Sequence, residues 1–200
     1  MPTPTRPHRS RHTGIASEVR RVATVVLVLL ATLWTLELVD QAILNGALDR
    51  SCGIRPRSIS GLGGVLLHPL AHGDLQHLLS NSAGLAVLGA LVASYSMREF
   101  LRVTLWSTLV GGLGVWLAAP TDSVTIGASG VVFGYFGYLV ARGIFERRAV
   151  SILLSVLIAS SYGALIFGMV PGMVAAQVSW QAHLFGCLGG ILAARSFRRR

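Results

Sequence analysis

Two residues with the chemistry of a nucleophile and a base lie in apolar segments of the chain. Ser129 lies in the run Gly127-Ala128-Ser129-Gly130, and His183 lies in a second apolar run 54 residues later. A serine hydroxyl is a weak nucleophile unless a neighbouring base takes its proton, and histidine is a suitable base. The pair therefore predicts acyl transfer, with hydrolysis of a peptide bond inside a bilayer as the reaction.

Other hydrolytic chemistries do not fit the residues present. The sequence contains no lysine, which excludes a serine–lysine dyad. It has neither a His-Glu-x-x-His metal motif nor a pair of aspartates in the middle of apolar runs. No carboxylate lies near His183 in sequence, so we expect a dyad rather than a triad. This interpretation requires no metal and no cofactor.

A polar segment from His72 to Asn81 supplies further candidates. His77 and Asn81 lie four residues apart and share one face of a helix, whereas His72 precedes that helix. Acyl transfer develops negative charge on the carbonyl oxygen, which fixed hydrogen-bond donors stabilise. We predict an oxyanion site made by His77, Asn81 and the backbone N–H of Ser129, with Gly127 beside it. The alternative is a polar cluster that only fastens a loop, and it fits His72 better than the other two.

Glycines recur on one face of both apolar runs that carry Ser129 and His183. In the first run they follow at intervals of three, four and three residues, and in the second two glycines share the face of His183. Small residues at such spacing let helix backbones approach closely in a membrane. We therefore expect the two helices to touch, with Ser129 and His183 at similar depth. The glycines are Gly127, Gly130, Gly134, Gly137, Gly186 and Gly190.

The composition indicates an all-α membrane protein. Of the 200 residues, 52% are hydrophobic and only 12% are charged. Most apolar runs approach the about 20 residues that a helix needs to cross a bilayer. We predict a basic, disordered tail over residues 1–16 and a six-helix membrane domain over residues 17–200, with a long structured outside loop after the first span. The predicted spans are 22–44, 75–95, 100–119, 127–142, 150–170 and 180–195.

The distribution of arginine predicts the orientation. All 17 basic residues are arginine, and with a cytoplasmic N-terminus fourteen lie inside, whereas Arg50, Arg55 and Arg57 lie outside. This bias follows the positive-inside rule and predicts a multi-pass protein of the cell membrane with both termini in the cytoplasm. Basic tails can also bind nucleic acid, but no aromatic residue is interleaved with the arginines of the N-terminal tail. The exclusive use of arginine is typical of a GC-rich bacterial genome.

Two carboxylates and two cysteines stand apart from the predicted site. Glu37 and Asp40 lie near the outer end of the first span, where a structural role, hydrogen bonding to the long loop, is favoured over catalysis. Cys52 falls in a loop and Cys187 in the last span, so they do not form a disulfide framework. We assign no function to either cysteine.

Taken in order along the chain, these motifs resemble those of the rhomboid family of intramembrane serine proteases. The resemblance covers about residues 20–195 and implies that Ser129 is the nucleophile and His183 the general base. It implies further that His77 and Asn81 bind the oxyanion and that His72 holds the loop. Implied substrates are single-span membrane proteins, cut near their outer end. Phe133 stands where some bacterial rhomboids have a tyrosine that stacks on the catalytic histidine, and we expect that it can stack there too, although it offers no hydroxyl.

Two other classes of function remain open at this stage. A non-catalytic rhomboid-like module would bind client transmembrane helices, but such proteins typically lack the serine or the histidine. A small transporter or channel would use His72, His77 and His183 as a polar pathway, yet the inner halves of the predicted spans are almost wholly apolar. The serine protease is therefore the leading interpretation. The sequence does not indicate an oligomeric state.

Overall fold

The computed structural model describes residues 11–197, with the side chains of residues 14–197. The predicted tail over residues 1–16 falls mostly outside this range, and the first helix begins at Arg11. Two helices continue beyond their α-helical part: α1 as a π-helical turn over Asp40–Leu44, and α7 as a 3-10 segment over Gly163–Met169. The helices are α1 (Arg11–Val39), α2 (Ala47–Cys52), α3 (Gly64–Leu67), α4 (Leu75–Tyr95), α5 (Met97–Ala118), α6 (Ser129–Glu146), α7 (Ala149–Tyr162) and α8 (Trp180–Ser196).

The all-α class is confirmed, but the count of six spans is not. In the described part of the chain, four helical stretches are long and apolar enough to cross a membrane: Gly14–Leu44, Leu75–Tyr95, Met97–Ala118 and Ala149–Met169. The helix α8 is shorter, with 17 residues, and α6, which includes Arg142 and Glu146, is not among these four stretches. The apolar helices indicate a multi-pass protein in a lipid bilayer.

The helix α6 lies at the centre of the molecule. Twelve of its 18 residues are buried, and it contacts α4, α5, α7 and α8. A helix surrounded by other helices meets little lipid, so it does not need the long apolar surface of a peripheral span. In contrast, α1 packs mainly against α4 and exposes much of its apolar surface.

The glycines of α6 and α8 face each other, as their spacing predicted. A methyl group on Gly186 would collide with the backbone oxygen of Gly130, and one on Gly190 would collide with that of Gly134. The helix α8 also approaches α5, because the Cα of Gly186 lies 3.4 Å from the place where Gly111 of α5 would carry a Cβ. Backbone contact of this kind brings the start of α6 close to the start of α8.

The segment over residues 45–74 is held to the bundle by carboxylates and backbone pairing. Asp40 accepts hydrogen bonds from the N–H groups of Leu48 (2.8 Å) and Asp49 (3.1 Å), which confirms the predicted role of Asp40. Ile54 pairs with Thr125, just before α6, through two backbone hydrogen bonds of 2.9 and 3.1 Å. The segment is thereby fixed beside the start of α6.

A group of polar side chains joins the opposite end of α6 to its neighbours. Arg142 contacts Glu99 of α5 and Glu146 of α6, and Tyr138 donates a hydrogen bond to Glu99. The Arg142 guanidinium also lies 3.6 Å from the ring centre of Tyr95. We refer to Tyr95, Glu99, Tyr138, Arg142 and Glu146 as the arginine cluster.

Candidate active site

A tight turn at Gly127 precedes Ser129, which is the first residue of α6. Gly127 has φ +112°, a conformation that L side chains rarely adopt, and its N–H donates to the carbonyl of His68 (2.9 Å). A Cβ on Gly127 would also collide with the ring of His77. Glycine is therefore required at position 127 both for the turn and for the space beside His77.

His183 reaches Ser129 from the first turn of α8. The hydroxyl of Ser179 caps this helix by accepting from the N–H of Ala182 (3.2 Å). One turn later His183 is 7% exposed, and its Nε2 lies 3.0 Å from Ser129 Oγ. The structure thus brings together the two residues that the sequence predicted as nucleophile and base.

The partner of the other ring nitrogen of His183 indicates which nitrogen carries the proton. Nδ1 lies 2.9 Å from the carbonyl oxygen of Gly168, in the 3-10 segment that follows α7. A carbonyl only accepts, so Nδ1 carries the proton of the neutral ring and Nε2 is free to accept from the Ser129 hydroxyl. Phe133 stacks on the same ring, with centroids 3.9 Å apart and planes 6° apart, and this confirms the predicted stacking.

Some donors near the start of α6 have no hydrogen-bond partner among the described residues. Asn81 is 6% exposed and its Nδ2 has no hydrogen-bond partner among the described residues. It lies 3.5 Å from the place where Gly127 would carry a Cβ. The N–H groups of Ser129 and Gly130 are likewise without backbone partners in the part of the chain that the structure describes, as is usual in the first turn of a helix.

His77 is placed beside Gly127, but its tautomer limits what it can donate. Its Nδ1 lies 2.6 Å from the carbonyl oxygen of His72, so Nδ1 carries the proton of the neutral ring. The neutral ring then offers only a lone pair at Nε2. His77 can therefore donate from Nε2 to an oxyanion only when its ring is protonated.

His72 lies behind the turn, and its contacts are structural. It is 1% exposed, its Nε2 accepts a long hydrogen bond from the N–H of Ala128 (3.4 Å), and its ring meets that of His77 edge to face. Its own N–H donates to Asp49 (3.1 Å). Burial lowers the pKa of His72 to about 4, so the ring is neutral near pH 7.

Sequence reasoning missed three groups that position the site. The carbonyls of Gly168 and His68 hold His183 and Gly127, and the carboxylate of Asp49 holds the backbone of His72. A backbone carbonyl leaves no signature in the side-chain sequence. Asp49 was detectable only as one more acidic residue in the long loop.

Comparisons with known proteins agree with these features. The family model described as the rhomboid domain matches residues 61–200. An uncharacterized protein of Mycobacterium tuberculosis is 37% identical over 179 residues, which are 86% of this chain and 73% of that protein. The Bacillus subtilis protein named "Putative rhomboid protease YdcA" is 30% identical over 173 residues, covering 86% and 85% of the two chains. "Rhomboid-like protein 11, chloroplastic" of Arabidopsis thaliana is 33% identical over 132 residues, covering 60% and 47%. The chain belongs to the rhomboid family.

Proposed function

We propose that this rhomboid protein is a serine endopeptidase that cleaves transmembrane segments of other membrane proteins. The observation that carries the proposal is the hydrogen bond between Ser129 Oγ and Nε2 of His183, a ring whose Nδ1 proton is held by a carbonyl. In that arrangement the serine proton has an acceptor, and the acceptor has a defined tautomer. Membership of the rhomboid family supports the same reaction class.

The reaction proceeds by acyl transfer. Ser129 Oγ attacks the peptide carbonyl carbon while its proton passes to His183 Nε2, and the carbonyl π electrons move to oxygen. Collapse of the tetrahedral intermediate breaks the C–N bond, and His183 returns the proton to the leaving amine. A water molecule, deprotonated by His183, then attacks the acyl-enzyme; the bond between the acyl carbon and Ser129 Oγ breaks, and His183 returns the proton to Oγ as the carboxylic acid leaves.

Negative charge on the carbonyl oxygen is stabilised by donors that have no other partner among the described residues. Asn81 Nδ2 and the Ser129 N–H can donate when the His77 ring is neutral. When that ring is protonated, its Nε2 is a third donor. Leaving a buried donor unpaired costs stability, so its presence beside a nucleophile supports an oxyanion role. Gly127 provides the space for the substrate carbonyl.

The membrane arrangement is part of the proposal. All six predicted spans cross the bilayer, including the short helices α6 and α8, and together they form one domain over residues 17–200. Both termini lie in the cytoplasm, where the arginines concentrate. Ser129 and His183 then lie near the outer face, and substrates are membrane proteins cut close to the outer end of a span. The cell of origin is bacterial.

A fluorophosphonate probe tests the proposal without a known substrate. The purified protein is labelled in detergent and the modified residue is mapped by mass spectrometry. We expect labelling on Ser129, and its loss in Ser129→Ala and in His183→Ala. Ser160→Ala is the matched control, because the exposed hydroxyl of Ser160 donates to carbonyls of its own helix, and it should label as the wild type does.

Absence of labelling in folded protein would overturn the proposal. The protein would then be interpreted as a non-catalytic module that binds client helices. Labelling that persists in His183→Ala would also contradict the dyad, because the serine would then be activated by another group.

A further inference from the structure

A groove lies between α6 and α7, in the half of α6 that is remote from Ser129. Its volume is about 370 Å³. In both helices its lining residues follow one another at helical spacing, so one face of each helix forms a wall. The walls contain apolar residues and a glycine, namely Val140, Gly143 and Ile144 of α6 and Ile152, Val156 and Ala159 of α7.

The polar atoms at the floor of this groove are paired with one another. The hydroxyl of Ser155 donates to the carbonyl of Leu139 (2.7 Å) and accepts from the N–H of Gly143 (2.9 Å). A methyl group on Gly143 would collide with Ser155, so glycine allows this close approach. Because these groups already have partners, the floor and the walls suit an apolar occupant.

Two arginines lie at the end of the groove where α6 is connected to α7. Arg147 lines the groove, Arg148 follows it directly in the chain, and both are exposed. Neither forms an ion pair with any residue that the structure describes. The adjacent carboxylate, Glu146, is already bound by Arg142 and by the hydroxyl of Ser151 (2.6 Å). The apolar groove therefore ends at two positive charges that lack ion-pair partners in the described part of the chain.

We propose that this groove binds an anionic phospholipid, with an acyl chain between α6 and α7 and the phosphate group at Arg147 and Arg148. In the orientation proposed above, this end of α6 lies at the cytoplasmic surface of the membrane. Basic residues at that surface attract anionic headgroups, and basic pockets between transmembrane helices bind them. Lipid binding does not involve Ser129, so it goes beyond the protease reaction.

The combination of features distinguishes a lipid from other occupants. A free phosphate ion would use the arginines but not the apolar walls. An apolar helix of a second copy would use the walls but not the arginines. A phospholipid uses both, because a charged headgroup and an apolar chain are joined in one molecule. Since α7 packs mainly against α6, the bound lipid would contact both helices at the main interface of α7.

The first test measures the role of the headgroup charge. The purified full-length protein is titrated in detergent with phosphatidylglycerol and phosphatidylcholine that carry the same acyl chains, and native mass spectrometry counts the bound lipids. We expect the wild type to bind one phosphatidylglycerol more tightly than phosphatidylcholine. The double variant Arg147→Gln/Arg148→Gln should weaken phosphatidylglycerol binding by about 30-fold and change phosphatidylcholine binding much less.

A second double variant is the matched control for charge. Arg98→Gln/Arg195→Gln removes the same charge from exposed positions, at the start of α5 and the end of α8. It should bind phosphatidylglycerol as the wild type does. Equal weakening in the two double variants would overturn the proposal, because the total charge of the protein would then explain the preference.

The second test fills the groove and leaves both arginines in place. Ala159→Phe puts a ring between the walls and should abolish tight binding of phosphatidylglycerol. Leu157→Phe is the matched control, because Leu157 is exposed on α7 and does not line the groove, and it should bind as the wild type does. If Ala159→Phe does not fold, the two arginine double variants decide alone.

Three further outcomes would overturn the proposal. Phosphatidylglycerol binding that survives Ala159→Phe would place the lipid elsewhere. Competition by inorganic phosphate would indicate a site for a free anion. A dimer that Ala159→Phe converts to a monomer would show that a second copy of the chain occupies the groove. None of these measurements depends on a reactive Ser129, so failure of the protease proposal and failure of lipid binding are distinguishable.

Discussion

The polar groups near the two ends of α6 differ in whether they have hydrogen-bond partners. At its amino end, Asn81 Nδ2 and the N–H of Ser129 lack partners within the described residues. At its carboxyl end, Arg142, Glu99 and Tyr138 contact one another, and Ser151 donates to Glu146 at 2.6 Å. Among the fully buried side-chain polar atoms of the arginine cluster, Nε of Arg142 is the one without a partner in the described part of the chain.

Buried polar groups therefore have two different roles in this molecule, one in stability and one in reactivity. Paired charges in a low-dielectric interior resist separation, so the arginine cluster ties α4, α5 and α6 together. Unpaired donors lower stability and are retained where a ligand or a transition state completes them. The comparison predicts that substitutions at one end change stability, whereas substitutions at the other end change reactivity.

The largest expected effect is the loss of Arg142. Arg142→Leu leaves Glu99 and Glu146 without their cation, so the free energy of unfolding should fall by about 4 kcal/mol. An SDS titration in mixed micelles measures it. Arg98→Leu, at an exposed position of α5, is the control and should change little. If the folded fraction of Arg142→Leu no longer labels at Ser129, the two ends are coupled and the comparison fails.

Asn81 should show the reverse pattern. Asn81→Leu removes an oxyanion donor, which should slow fluorophosphonate labelling by about a hundredfold or more, equivalent to about 3 kcal/mol. Unfolding in SDS should be unchanged or occur later, because a buried unpaired group has been removed. Gln76→Leu, exposed on the same helix, should label normally. A labelling rate within twofold of wild type in Asn81→Leu would exclude the oxyanion role.

Low pH should lower the stability of the end of α6 that carries the site. Burial lowers the pKa of His68 from 6.5 to about 4, so the unfolded chain binds a proton that the folded protein does not. The free energy of unfolding therefore falls as the pH drops from about 6.5 to about 4, by about 3 kcal/mol from this residue. His68→Gln should flatten the dependence, leaving the part due to His72. An equal slope in both proteins would contradict this assignment.

The packing of α6 against α8, between the two ends of α6, should be sensitive to a single added methyl group. Gly190→Ala places a Cβ against the backbone oxygen of Gly134, which no side-chain rotation relieves, and should lower the free energy of unfolding by about 2 kcal/mol. Gly163→Ala is the control, because nothing lies within 4 Å of the added atom. Equal unfolding of both variants would show that α6 and α8 can separate without cost.

Much of this arrangement was predictable from residue types and spacing. The glycine intervals predicted contact between α6 and α8, and the polar residues Ser129 and His183 predicted the pair that the helices bring together. The carbonyls of Gly168 and His68 were not predictable, since any residue has one. The six-span count relied on apolar length, a criterion that α6 does not meet because it is enclosed by other helices rather than by lipid.

The sequence by itself determined that the protein is helical and apolar, which helices approach closely, and which side chains could react. Those properties depend on neighbours within a few turns of the same helix. Only the tertiary structure decided the protonation pattern of the histidines, because each ring takes its tautomer from an acceptor or donor on another element. Gly168 lies 15 residues from His183, and Ala128 lies 56 residues from His72. Spacing within a helix cannot specify contacts at such separations, so the hydrogen-bonded site exists only in the folded chain.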